Sequence, residues 1–284
     1  MSLSKLLSRQ NDILVMPGVY DALTAKIAEH VGFEAIFQTG YGTSASLLAL
    51  PDFGFLSITE TVENARRITR AVDIPLIVDV DTGYGNPLTI SKLVDDLQRI
   101  GVSGIFLEDQ VWPKRCGHMA GKEVINSQEY VQKLRSAIDA KKKDSDFIIV
   151  ARTDAMAPLG IEEAIKRGKL YSEMGADIVF VEAPRSVDDM KNIANQIDAP
   201  LVANMIEEGI TPNLTSKELL EMGYKIALFP LSGLYSSTFA IFETFKTLKE
   251  TGTTKSQKHK MMQFKEFNKL VNLDKYMNME NKYA

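Results

Sequence analysis

Acidic residues recur at the ends of apolar runs in this 284-residue chain: Asp79-Val80-Asp81, Glu108-Asp109, Asp154 and Glu182, with a single arginine, Arg152, among them. Asp79 and Asp81 are two positions apart, so along a strand they face the same way. With Glu108 from the next run, three carboxylates share a small volume. Like charges that close repel, and their pKa values rise unless a cation sits among them. An oxygen-only donor set suits Mg²⁺, with Mn²⁺ able to replace it, because that ion takes one or two carboxylates and fills its shell with water and substrate oxygens. The competing reading pairs these acids with Lys114 or Arg152 and needs no metal.

Arg152 offers a planar fork that matches both oxygens of a substrate carboxylate, or else a structural salt bridge. Backbone N–H groups around Thr39-Gly40-Tyr41 can hold a second carboxylate, since glycine lets the chain approach closely. The only cysteine lies in Lys114-Arg115-Cys116-Gly117-His118. Between cations, in a predicted surface loop, Cys116 is badly placed for a packed hydrophobe. A thiol of ordinary pKa, about 8.5, can donate a proton at neutral pH; the flanking cations are expected to ease its thiolate, and His118 to orient it. Zinc is disfavoured, because one cysteine among hard oxygen donors cannot complete its usual ligand set. No G-x-x-x-x-G-K-[ST] or G-x-S-x-G run occurs, so neither phosphate-loop nor nucleophile-elbow chemistry is supported. Pro230-Leu231-Ser232-Gly233 is a weak phosphate-site signal.

These residues need a scaffold that brings strand ends together, and an internal repeat supplies one. Four segments read as helix end, glycine, apolar strand: EHVG-FEAIF, QRIG-VSGIF, SEMG-ADIVF and LEMG-YKIALF. Gly32, Gly101, Gly175 and Gly223 fit the position just past a helix, where φ > 0 favours glycine. Between them lie apolar strands each introduced by aspartate, at Asp12, Asp73, Asp146 and Asp198. Interleaving the two sets predicts strands near 13–16, 33–38, 76–80, 104–107, 147–151, 177–181, 201–203 and 226–229, apolar enough to be buried on both faces. Strand–helix alternation through eight units predicts an α/β fold, either a (β/α)₈ barrel or a large doubly wound sheet; the fourfold repeat favours the closed barrel, as one domain over 1–284. Ser57-x-x-Glu60 reads as a capping box before a helix over 58–71, and Ser127 and Ser186 as N-caps. Residues 39–57 and 109–126 read as long loops at the functional end. Residues 232–284 form a helical extension, with Phe264, Phe267, Leu270, Val271 and Tyr276 at helical spacing; that stripe covers either its own barrel or a neighbouring subunit.

Bulk properties fit a soluble enzyme on a small-molecule substrate. The chain is 45% hydrophobic and 25% charged, with net charge −4, which gives no reason to expect nucleic acid or an anionic membrane. One cysteine excludes an internal disulfide, and neither a signal peptide nor a membrane span is read, so a cytoplasmic location is expected.

Six motifs together resemble the isocitrate lyase/phosphoenolpyruvate mutase superfamily, in its short-chain branch: PGVYDALTA, LPDFG, DVDTGYGN, LEDQVWPKRCGH, ARTDA and VANM. The resemblance runs from about Val15 to Tyr283. It implies Mg²⁺ held directly by Asp81 and through water by Asp79 and Glu108. It also implies substrate carboxylates held by Thr39-Gly40-Tyr41, Arg152 and Asn204. Asp52 and Glu182 fall on family site positions, and Lys114 and Gly117 of the cysteine loop join the substrate-contacting set. In lyase members the cysteine matching Cys116 protonates the enolate left by C–C cleavage, under a loop that closes over the substrate. The implied catalytic set is Cys116, His118, Arg152 and Glu182, with the base unassigned. The implied activity is retro-aldol cleavage of a 2-hydroxy di- or tricarboxylate, of the methylisocitrate or dimethylmalate type, to pyruvate or a related acid. The alternative is a phosphonomutase that forms a P–C bond; the cysteine loop fits both, and GTSAS at 42–46 also suits that branch. Phe37, Met119 and Phe264 stand where methylisocitrate lyases carry tyrosine and two arginines, which favours a dicarboxylate. A homotetramer built through swapped C-terminal helices is also implied.

Overall fold

Every strand of the computed structural model, which describes residues 2–143 and 145–284, runs parallel to its neighbours. The first half comprises α1 (Leu3–Leu7), β1 (Leu14–Val19), α2 (Ala22–Val31), β2 (Ile36–Gln38), α3 (Gly40–Leu48), α4 (Ile58–Ala71), β3 (Leu76–Asp79), α5 (Pro87–Arg99), β4 (Gly104–Glu108) and α6 (Ser127–Asp139). There follow β5 (Ile148–Thr153), α7 (Met156–Leu159), α8 (Ile161–Glu173), β6 (Ile178–Val181), α9 (Val187–Gln196), β7 (Val202–Asn204), α10 (Ser216–Glu221), β8 (Ile226–Phe229) and α11 (Ser232–Thr251). The strands pair in the order β6-β5-β4-β3-β2-β1-β8-β7. A parallel bridge between Val179 and Leu201 joins the two ends, with Val179 N–H donating to Pro200 O at 3.0 Å. The sheet is therefore a (β/α)₈ barrel.

The repeat glycines punctuate it as the spacing requires, with φ of 102°, 86°, 100° and 95° at Gly32, Gly101, Gly175 and Gly223. Ser57 and Glu60 form the reciprocal box at the start of α4, and Ser186 Oγ accepts from Asp189 N–H at 3.0 Å to start α9. Two local expectations are corrected. The cap of α6 is Asn126, whose Oδ1 accepts from Gln128 N–H at 2.8 Å; Ser127 is the first helical residue. Asparagine caps as well as serine, so adjacent candidates are not separable by type alone. The segment after β2 is not all loop: α3 occupies 40–48, capped by Thr39 Oγ1 accepting from Gly42 N–H. Two glycines, small polar residues and no charged side chain give this helix no visible polar face, because it packs into the barrel mouth with Gly40, Gly42, Thr43 and Ser44 buried.

Inside the barrel, Phe37, Phe106 and Phe180 stack beneath the mouth, with ring centroids 4.8 and 5.8 Å apart. Leu3 and Leu6 of α1 belong to the same core, together with Leu14, Ile148 and Ile226. Layers between strands and helices bury Ile68, Leu93 and Leu134 on one side and Ile165, Ile193 and Leu219 on the other.

Past β8 the chain leaves this economy. Helix α11 has no buried residue and exposes Phe239, Phe242 and Phe245. Two further helices, α12 (Phe264–Leu270) and α13 (Leu273–Tyr283), follow it. Of the predicted stripe only Leu270 is buried, while Phe264, Phe267, Val271 and Tyr276 are exposed. Self-packing thus covers one position in five.

Gly18 in β1 lies so close to the chain after β8 that a Cβ there would sit 2.0 Å from the carbonyl oxygen of Pro230. Backbone cannot yield as a side chain does, so Gly18→Ala is expected to cost roughly 1–3 kcal/mol or more by overpacking. The urea midpoint measures this; an unchanged midpoint would mean the β1–β8 seam is slack.

Candidate active site

The carboxylates gather by a route different from simple strand alternation. Strand β3 stops at Asp79, and Asp81 lies beyond it with φ of +48°. Asp79 Oδ1 accepts from Asp81 N–H at 3.1 Å and its Oδ2 from Gly40 N–H at 3.4 Å. A Cβ on Gly40 would lie 2.9 Å from Asp79 Oδ2 and 3.5 Å from Asp81 Oδ1, so both carboxylates face this glycine. The turn at Asp81, held by the Asp79 side chain, does the converging.

Glu108 ends β4 and is the register partner of Arg152 on β5. Arg152 Nη1 stands 3.3 Å from Glu108 Oε2, and its Nε and Nη2 donate to Asp154 at 2.7 and 3.0 Å. The guanidinium lies 5.4 Å from the Phe180 ring centroid, so its plane is fixed by one carboxylate and one aromatic face. Asp154 also accepts from Lys122 Nζ at 2.8 Å. Lys114 Nζ reaches Asp52 at 2.5 Å and Asp81 at 2.7 Å. The pairing of site acids with Lys114 and Arg152 is therefore present, yet incomplete: Lys114 Nζ faces Asp81 Oδ1 and Arg152 Nη1 faces Glu108 Oε2 without hydrogen-bond alignment, and Glu108 Oε1 is buried with no hydrogen-bond partner.

Burial dominates the electrostatics. It pushes the Asp81 carboxyl up to about 7; Lys114 opposes this, while Asp79 and Asp52 add to it. Burial likewise holds Glu108 well above the usual carboxylate range despite Arg152. At Glu182 burial also acts upward, but Arg152 and His118 outweigh it and keep this carboxyl below its ordinary value. Six buried carboxylates (Asp52, Asp81, Glu108, Asp109, Asp154 and Glu182) face four largely buried cations: Lys114, Lys122, Arg152 and Arg167. Each carboxylate has a neighbour, but the cations are two fewer than the acids. Among the described residues no three His, Cys, Asp or Glu side chains close a cage on their own. A hydrated divalent ion needs only one or two direct carboxylates, so the unaligned oxygens and the two-charge excess of acids fit such an ion.

The cavity in front of Asp79 has about 40 Å³ of free space. Tyr41, Asp52, Cys116, Arg152, Glu182 and Asn204 line its polar side; Phe37, Phe106, Phe180, Ile206, Leu228, Pro230 and Leu231 line the other. Asn204 Nδ2 donates to both oxygens of Glu182 at 3.3 Å, and Gly117 packs so tightly that a Cβ there would come within 2.1 Å of Glu182 Oε1. A space that size holds a water molecule or so. The loop over the site must move to admit a diacid.

That loop departs from expectation in three respects. Cys116 is buried rather than at the surface, and burial pushes its thiol up to about 11. Burial, with Asp52 and Glu182, outweighs the easing of the thiolate by Lys114, which is committed to Asp52 and Asp81, while Arg115 Nη1 goes to Ala120 O. Third, the backbone of His118, not its ring, hydrogen-bonds the sulfur. The ring accepts from Ile210 N–H at Nδ1 (2.8 Å), which leaves the proton of the neutral imidazole on Nε2, 3.2 Å from Glu182 Oε1 though not aligned as a hydrogen bond. Met119 is half-buried outside the cavity lining, and Phe264 lies out on α12, 83% exposed.

Lys122 escaped sequence reasoning, and Asp154 and Asp109 were legible only as acids at strand ends, with no partner assigned. Asp109 accepts from Thr153 Oγ1, Asp154 N–H, Arg167 and Tyr171 OH at 2.8–2.9 Å, and so ties β4 to β5 and α8.

Comparison with known proteins agrees with the geometry. Residues 3–240 match the family model described as phosphoenolpyruvate phosphomutase. A chloroplastic carboxyvinyl-carboxyphosphonate phosphorylmutase of Arabidopsis thaliana is 49% identical over 98% of this chain and 83% of its own length. A 2,3-dimethylmalate lyase of Eubacterium barkeri is 43% identical over 96% and 94%. An oxaloacetate acetylhydrolase bound to 3,3-difluorooxalacetate superposes with a TM-score of 0.94 at 35% identity, over 99% of this chain and 96% of that one. A phosphonopyruvate hydrolase holding oxalate and Mg²⁺ superposes at 0.88 with 27% identity, over 100% and 99%. By sequence and by fold, the chain belongs to the isocitrate lyase/phosphoenolpyruvate mutase superfamily, and it is an enzyme.

Proposed function

We propose that this enzyme is a divalent-cation-dependent carbon–carbon lyase that cleaves an alkyl-substituted malate-type 2-hydroxy diacid to pyruvate or a related 2-oxo acid. The observation that carries the reading is a buried thiol, Cys116, in the same small cavity as Arg152, the Glu182 carboxyl and an apolar wall, with burial acting to keep the thiol protonated. Arg152 binds one carboxylate of the substrate and the Tyr41 amide the other, since Thr39 N–H donates to Val19 O and Gly40 N–H to Asp79. Asp81 and Glu108, with Asp79, would hold the cation, preferably Mg²⁺, which supplies charge stabilisation to the oxygens of the developing enolate. Glu182 is the ionised base in reach and takes the 2-hydroxyl proton, while Asn204 and His118 hold it in place. The C2–C3 bond breaks, its electrons pass toward the second carboxylate, and the Cys116 thiol delivers a proton to C3, leaving a thiolate. Ile206, Leu228, Pro230 and Leu231 offer no charge to a third carboxylate and suit alkyl groups on C3.

The phosphonomutase reading is favoured by the relative at 49% identity. Against it stands charge: a substrate with a phosphorus acid and two carboxylates adds more negative charge to a mouth already two short of balance. A ³¹P signal for a new P–C bond would decide for the mutase.

A homotetramer is part of the proposal, assembled by exchange of the C-terminal helices. Residues 232–284 carry nine lysines and five acids, whereas the whole chain has net charge −4, so a basic, apolar arm extends from an acidic barrel. An apolar groove of about 620 Å³, lined by Val15, Ile27, Val31, Phe33 and Phe229, lies beside the root of α11 as a seat for a second copy.

Pyruvate release across a panel of 2-hydroxy diacids, coupled to lactate dehydrogenase, should require Mg²⁺ and disappear with chelator. Cys116→Ser should lower kcat by about 10²–10⁴, the usual worth of a general acid, with substrate affinity by calorimetry within threefold; full turnover in that variant removes Cys116 from the mechanism. A raised thiol pKa means little thiolate at pH 8.5, where a free cysteine is half ionised. Alkylation of Cys116 by iodoacetamide should therefore rise only as pH climbs toward 11, and a midpoint near 8.5 would contradict the buried-thiol role. Light scattering should report a tetramer, with Phe242→Glu/Phe245→Glu dissociating it; a parent monomer would refute the exchange.

A further inference from the structure

We propose that Lys122 is a positioning residue that fixes the Cys116 turn over the cavity and, through Asp154, in register with Arg152. Its neighbours in the loop, Gly121 and Glu123, are exposed, yet Lys122 is 5% exposed. A buried ammonium is costly unless its donors are satisfied. Two of its three are: Nζ donates to Gly117 O at 2.5 Å and to Asp154 Oδ1 at 2.8 Å.

The position of Lys122 in the loop gives these bonds leverage. The neck is closed by backbone, with Gln110 bridged to Val124 and Val111 N–H donating to Glu123 O at 2.8 Å. The turn above it is a built unit: the Gln110 side chain clasps Arg115 N–H and O at 3.1 and 2.8 Å, and Met119 N–H donates to Cys116 O at 2.9 Å. Such a unit can swing on its neck without coming apart. Lys122 is the tie from its tip to the end of β5. The other ties end elsewhere, Lys114 on Asp52 and Asp81, His118 on Glu182 and Ile210. Only the partner of Lys122 also holds Arg152, by Nε and Nη2. One carboxylate therefore sets both the proton donor's turn and the substrate's cationic fork. Without the ammonium, the carbonyl of Gly117 loses its donor and Asp154 keeps only Arg152.

The chain has a single cysteine, so a thiol reagent reports this turn alone. In Lys122→Met at pH 8, Cys116 should label at least tenfold faster than in the parent, with the melting temperature of both recorded alongside. Lys122→Arg, which keeps the charge and its donors, should label within threefold of the parent. A rate in Lys122→Met within twofold of the parent overturns the proposal, and so do equally accelerated rates in the Met and Arg variants, which would reduce Lys122 to packing. If Lys122→Met does not fold, Lys122→Gln is read by the same criteria. Labelling needs no substrate, so the result stands whether or not the lyase reading does. Only the kinetic half rests on that reading: kcat should fall at least tenfold in Lys122→Met and recover partly in Lys122→Arg.

Discussion

Burying carboxylates side by side at one end of a closed barrel is the constraint from which the rest of this structure follows. Parallel closure sends the C-terminal ends of all eight strands to one rim, so residues that end strands meet whether or not they attract. Here the ends of β3, β4, β5 and β6 deliver Asp79 with Asp81, Glu108, Asp154 and Glu182. In a low-dielectric pocket such charges each need a cation or a proton. Arg152, Lys114 and Lys122 supply three cations, and the raised Asp81 and Glu108 carboxyls show what remains unmet. A divalent ion would supply the difference. Lys114 and Arg152 are each shared between two acids, so Asp81 and Glu108 are only partly neutralised by the protein and keep capacity for such an ion.

The loop after β4 belongs to the same balance. Its two lysines and its histidine go to acids from different elements: Lys114 to Asp52 and Asp81, His118 toward Glu182, Lys122 to Asp154. Its interior is held by Gln110 and its neck by backbone. The contacts that must break for opening are therefore these polar ones, with Trp112 against Tyr84 and Arg115 over Phe53, and not the apolar layers that hold the barrel. That division lets the cover move while Phe37, Phe106 and Phe180 stay packed beneath it.

How much of this was legible in the sequence depended on whether a feature is periodic or local. The eight strands and the four glycines past helix ends repeat, so one unit supported the next, and each prediction lay within a few residues of the observed strand. Asp79, Asp81 and Glu108 were legible because a strand end in a barrel is a site by position. Helix α3 was missed because it shows no polar face. Cys116 reads as a proton donor in the sequence too, but its burial does not, because the loop's fold over the mouth is set by contacts between residues far apart, such as Lys114 with Asp52 and Lys122 with Asp154. Lys122 and Asp109 act through partners 32 and 44 or more residues away, Asp154 and Thr153 among them, and no spacing rule reaches that far.

The raised thiol of Cys116 is better suited to the proposed chemistry than the activated thiol first expected. A cysteine eased toward thiolate is a nucleophile and is oxidised readily. The proton acceptor in a C–C cleavage is a carbanion delocalised into a carboxylate, far more basic than a thiolate, so even a reluctant acid transfers its proton downhill. What the step demands of the residue is that the proton be present when the bond breaks. Burial ensures this across the whole neutral range, and it disfavours the anion that oxidants and electrophilic oxo-acid products would attack. A loop that would exclude water from the proposed enolate also acts to keep this thiol protonated. Closure and proton supply are then one event, set by the same desolvation.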